Sequence, residues 1–140
     1  MLLALMLPAG AWSQSVDMPS VEVFASSEQE VLVPADAPSR RVRVEVYQLD
    51  GLHQLETRLS AQLPNDSVAA QRVALQRIGQ LDHHDTDTLR SGAVGLAKAL
   101  QYGLDRYPAT VINATVVVYG TTDIELALSR YRSWREERAK

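Results

Sequence analysis

The chain has 140 residues, 46% of them hydrophobic, which suits one globular domain and excludes a disordered chain or a membrane bundle. A formal charge of -3 supplies no basic excess for a phosphate backbone, so nucleic acid is not an expected partner. The absence of cysteine excludes disulfides, thiolate nucleophiles, iron–sulfur clusters and Cys-based zinc sites, but does not fix the compartment, because oxidising compartments permit disulfides without requiring them.

The N-terminus opens on the apolar run from Met1 to Leu7, followed by Pro8 and Gly10 and the small residues Ala11 and Ser13. This is the pattern of a signal peptide cleaved near Ser13, and it is too short to span a bilayer. No Lys or Arg precedes the run, which leaves room for a start codon upstream. The expected organisation is a signal peptide over 1–13, a linker over 14–20 and one domain over 21–140, with no transmembrane segment in the mature chain.

Val21-Glu22-Val23-Phe24 reads as a first strand, and Ala25 to Arg41, with Pro34 and Pro38, reads mainly as loop. Val42 to Tyr47 alternates, placing Val42, Val44 and Val46 on one side and Arg43, Glu45 and Tyr47 on the other, as a strand does. Asp50 is positioned to cap a helix whose apolar stripe is Leu52, Leu55, Leu59 and Leu63, ending at Pro64. A second helix from Ser67 to about Leu81 is expected to turn Val68, Leu75, Ile78 and Leu81 inward. A third is expected to bury Leu89, Ala93, Leu96, Leu100 and Leu104, with Gly92, Ala97, Ala99 and Gly103 permitting close packing.

Pro108 disfavours helix at Tyr107, and the two β-rich segments that follow, Thr110 to Ile112 and Thr115 to Tyr119, read as a hairpin around Asn113-Ala114. Gly120 breaks the strand. Thr122-Asp123-Ile124-Glu125 has the capping-box pattern, with Thr122 as the cap, and opens a last helix with the stripe Ile124, Ala127, Leu128 and Tyr131 and a basic end.

Asp82 to Asp87, with His83 and His84, is the one cluster rich in metal-ligand types. Adjacent histidines diverge by about 100° on a helix, whereas zinc motifs commonly place ligands one turn apart. The cluster therefore reads as a polar connection, with Asp85 or Thr86 as a helix cap. No nucleophile elbow, P-loop or dinucleotide-binding turn is present, so neither catalytic residue nor cofactor is assigned.

Tyr107-Pro108-Ala109-Thr110-Val111-Ile112, then Val116 to Gly120 and Thr122-Asp123-Ile124 with Ala127-Leu128, resembles the C-terminal signature of an integrating conjugative element protein family, related in pattern to thioredoxin-like proteins that assemble conjugative pili. The export signal, Val21 to Ser27, Tyr47 to Asp50 and the leucines from Leu55 to Leu63 extend the similarity over nearly all of the mature chain. The resemblance implies a thioredoxin-like α/β fold: a small central mixed sheet of about four strands, a helical insertion before a proline-preceded C-terminal hairpin, and a final helix.

It also places Pro108 where thioredoxins carry a cis proline, although the sequence by itself favours trans. Ser26-Ser27 stands where thioredoxins carry their redox cysteines. What the resemblance implies for function is a non-enzymatic periplasmic accessory of conjugative transfer, acting in type IV secretion or pilus assembly by binding other transfer proteins. The expected binding surface is Ser26, Ser27, Tyr107, Pro108, Tyr119, Gly120 and Asp123. The alternatives are a metal-dependent periplasmic factor or enzyme using His83 and His84, and a redox-inactive thioredoxin-like chaperone.

Overall fold

A computed structural model describes residues 18–37 and 40–140. The expected signal peptide lies outside them, as do residues 14–17 of the expected linker.

Four strands, β1 (Ser20–Ala25), β2 (Arg43–Gln48), β3 (Ala109–Ile112) and β4 (Val116–Tyr119), form one sheet in the order β2-β1-β3-β4. β1 pairs parallel with β2 and antiparallel with β3, and β3 pairs antiparallel with β4, so the sheet is mixed. Between β2 and β3 the chain makes α1 (Gly51–Ser60), α2 (Ser67–Gly79) and α3 (His83–Gln101), and α4 (Ile124–Arg138) ends it. This is an α/β architecture with a helical insertion before a proline-preceded hairpin and a final helix, consistent with a small thioredoxin-like fold. The stretch expected as loop, Ala25 to Arg41, starts one residue inside β1, and its described residues make no helix; it is pinned instead by Leu32, whose N–H donates to Thr122 O and whose carbonyl accepts from Ile124 N.

The strand period of two sorts β1 onto both faces. Val21, Val23 and Ala25 join Ile112, Val118 and the expected α4 stripe, Ile124, Ala127 and Leu128, on one side. Phe24 joins Tyr47, Ala99, Ala109 and Val111 on the other, beneath α3. The hairpin turn is left-handed at both Asn113 and Ala114 (φ +52° each), which is how two residues reverse the chain without a glycine.

The helices of the insertion do not lie as their leucines suggest. α3 meets β2 through its smallest residues: a Cβ on Gly95 would stand 2.5 Å from Tyr47 Cβ, and one on Gly92 would stand 3.3 Å from Gln48 O. Gly95 and Ala99, one turn apart, are the buried residues of this helix. Leu96 and Leu100 lie about 100° round the helix from them and stand 54% and 73% exposed, with Ala93 exposed as well. Leu104, just past the left-handed Gly103, does pack on the core. α2 likewise buries nothing, and Val68, Leu75 and Ile78 all face out. In α1 only Leu55 is buried among the expected leucines, and Leu52 is exposed.

The caps also differ from expectation. Asp82 opens α3 in a reciprocal capping box with Asp85, ahead of the residues expected to cap it. Asp123 and not Thr122 caps α4, accepting from Leu126 N, while Glu125 pairs with Arg40 and Arg132 instead of reaching back. Asp50 stands at the N-cap position of α1 but its carboxylate makes no cap bond.

Candidate binding groove beside the cis proline

Asp50 is diverted because Ser27 reaches it first. The Ser27 N–H and hydroxyl donate to the two carboxylate oxygens at 2.9 and 2.7 Å, and Gln54 donates to the same group. Burial raises the Asp50 pKa, but the Ser27 hydrogen bonds more than offset it and hold the carboxyl below its ordinary value. Ser26 closes the same turn, its N–H donating to Gln29 Oε1. The loop after β1 is thereby fastened to the start of α1.

The Tyr107–Pro108 bond is cis, against the sequence-only expectation. Phe24, Ala109 and Tyr119 are neighbours across β1, β3 and β4, so Ser26, Pro108 and Gly120 arrive at one end of the sheet. Gly120, at φ +79°, donates its N–H to Pro108 O. Asp123 follows as the α4 cap beside Leu32. The residues singled out from the sequence therefore do gather at one end of the sheet. Most of them are engaged in holding it together.

The residues free to meet a partner lie next to them. A groove of about 160 Å³ opens between α3 and the segment leading into Pro108, with Phe24, Ala99 and Leu104 at its base and Leu96, Leu100 and Tyr107 on its walls. Tyr107 is 55% exposed. The only charged residues lining it are Asp105 and Arg106, and the Arg106 guanidinium lies 4.6 Å from the centre of the Tyr119 ring. Such a lining can take up apolar side chains, each worth about 1.5–3 kcal/mol when fully buried. Of its walls, only Tyr107 belongs to the binding surface expected from the sequence, which places Leu96 and Leu100 in the core instead.

What turns the leucines outward is a charged network that sequence reading passed over. Glu22, 7% exposed on the central strand, is met from α3 by the Lys98 ammonium and the Tyr102 hydroxyl. Lys98 also lies over the Tyr47 ring, whose hydroxyl donates to Glu45. The Glu22 hydrogen bond raises the pKa of both Lys98 and Tyr102, so each keeps its proton at neutral pH. Lys98 and Tyr102 are one turn apart on the sheet-facing side, and this clamp fixes the rotation of α3. The available signals were a lone carboxylate inside an apolar strand, and Lys98 as one of only two lysines in the chain.

His83 and His84 lie in the first turn of α3, and the aspartates around them are occupied: Asp82 and Asp85 in the capping box, Asp85 also with Arg58. Among the described residues no group of three His, Asp or Glu side chains converges to hold a metal ion.

The fold and groove thus define a small α/β protein with an apolar cleft at the cis-proline end of its sheet. The family of proteins of unknown function called DUF1525 matches residues 18–137, and the chain belongs to it. No curated protein matches the chain. No solved structure matches it either. No helix among the described residues is long and apolar enough to cross a membrane.

Proposed function

We propose that this protein is a non-enzymatic, exported binding module that serves the conjugative transfer apparatus of an integrating element, and that its partner docks in the groove walled by Leu96, Leu100 and Tyr107. The observation that carries the binding function is the exposure of two leucines and a tyrosine around an apolar cleft. Burying an exposed leucine against a partner is favourable, whereas in the free protein it contributes nothing to the core. The setting, a periplasmic role in type IV secretion or pilus assembly, is supported by the apolar N-terminal run and by the resemblance of the Tyr107–Leu128 segment to integrating conjugative element proteins.

The test is genetic and biochemical together. Deletion of the gene from a donor strain lowers transfer frequency, and the wild-type gene restores it. A Leu96→Asp/Leu100→Asp variant, folded as judged by its melting curve, does not restore it and no longer co-purifies with a transfer protein. Transfer at wild-type frequency from the deletion strain, with no transfer protein co-purifying, refutes the reading.

A further inference from the structure

We infer that two copies of this chain pair through the open edge of the sheet, β2 against β2 in antiparallel, joining the two four-stranded sheets into one. The proposal rests on the edge strand and is independent of the groove.

β2 is the outermost strand on its side of the sheet. Arg43 N donates to Pro19 O at its start and Leu49 N to Ala25 O just past its end, so the odd-numbered residues direct their backbone groups to β1. By the alternation of a parallel ladder, Val44, Val46 and Gln48 direct theirs outward. Gln48 O lies against Gly92, and His84, Asp87 and Ser91 of α3 wall a cleft beside Val46 and Gln48, so of the outward-directed positions Val44 lies outside that cleft and Val46 opens onto it. No proline or lysine blunts this strand, and such an edge is a template for another strand.

The occupant is read from the charges. About Val44 the sequence is Val42-Arg43-Val44-Glu45-Val46, which is self-complementary when reversed. With a two-fold axis at Val44, each Arg43 falls opposite the partner's Glu45, and Val42 falls opposite the partner's Val46. Moving the axis by one residue sets Arg43 against itself or Glu45 against itself, and like charges directly opposite are unfavourable. Only one register therefore places both pairs in attraction, and it is isologous, as a two-fold interface must be.

Val44 would exchange both backbone bonds with the partner's Val44, and Val46 N–H would reach the partner's Val42 carbonyl. Val42 N–H is already committed to Ala37 O, so the pairing stops there. Both charges are available. Among the described residues Arg43 makes no salt bridge, and Glu45 takes only the Tyr47 hydroxyl. Val46, 37% exposed, would be covered.

The experiment is sedimentation of the purified protein with three variants. Wild type is expected to sediment as a dimer. Glu45→Arg and Arg43→Glu each replace two attractions with two repulsions and weaken the dimer by about tenfold or more. The double reversal Arg43→Glu/Glu45→Arg restores it, and an equimolar mixture of the two single variants forms a one-to-one heterodimer. That rescue separates loss of pairing from loss of folding, since an unfolded variant cannot be rescued by its complement. A monomeric wild type overturns the proposal, as does a dimer that survives both single reversals. Two folded single variants that remain monomeric when mixed also overturn it.

Discussion

Adding one methyl group at Gly95 tests the seat of α3 directly. The new Cβ would lie 2.5 Å from Tyr47 Cβ and 2.9 Å from Tyr47 Cγ, the first about 1 Å or more and the second roughly 0.6 Å or more inside normal carbon contact. Tyr47 cannot swing aside, because its Cβ is fixed to β2 and its ring stacks on Phe24 at 5.2 Å with its hydroxyl on Glu45. The helix must lift, loosening the Lys98 and Tyr102 bonds to Glu22. Overpacking costs about 1–3 kcal/mol, and a clash with a backbone-anchored atom belongs at the upper end. Removing glycine from a helix returns up to about 1 kcal/mol, so Gly95→Ala should lose about 2 kcal/mol net. For a domain of this size that is roughly an 8 °C fall in Tm. Gly79→Ala is the control: Gly79 ends α2 with nothing within 4 Å of its Cβ position, and the variant should gain about 0.5–1 kcal/mol. Both are read by thermal and urea unfolding. A Gly95→Ala protein as stable as Gly79→Ala would refute the close seating of α3, and with it the reason the leucines face outward.

Three further outcomes follow from the same geometry. Lys98→Met strands the Glu22 carboxylate and should cost about 3 kcal/mol in urea unfolding, at the lower end for a broken buried pair because the Lys98 side chain keeps 33% of its surface exposed; adding Glu22→Gln should recover most of it. Ala114→Gly relieves a left-handed alanine and should stabilise the hairpin by about 1 kcal/mol, seen as a raised Tm. Ser27→Ala removes a hydrogen bond to the ionised Asp50 and should cost about 1 kcal/mol at pH 7. Since the folded Asp50 pKa is depressed, its contribution is present above the unfolded value of about 3.9 and is lost as pH falls through the folded one. Melting curves of wild type and Ser27→Ala should therefore begin to converge below about pH 4 and meet only once the pH is below the depressed folded value.

Local chemistry made much of the frame readable in advance. The alternation of Val42 to Tyr47, the proline before β3 and the apolar stripe of α4 each follow from sequence period and backbone restriction, and each element stands where that pattern puts it. The loop expected from Ala25 to Arg41 was legible from its prolines and charges in the described residues after Ala25, which itself ends β1. The site was legible only by its end of the sheet: Ser26, Ser27, Pro108 and Gly120 gather there, but Tyr107 alone among the named residues walls the groove.

Periodicity states that a helix has an apolar stripe and cannot state what the stripe touches. In α2 and α3 it was read as core, yet the faces turned inward are those of Ala70, Val73 and Ala74 in one and Gly95 and Ala99 in the other. Small residues let a helix approach closely, and a paired Glu22–Lys98 bridge lowers the cost of burying a charge on the central strand. Those two terms, the second of which joins groups 76 residues apart in sequence, decided the rotation of α3. The sequence alone determined that there is a mixed α/β chain without cysteine chemistry. Only the tertiary contacts decided that its leucines would be left on the surface, because the choice between two faces of a helix is made by what the opposing sheet can accept.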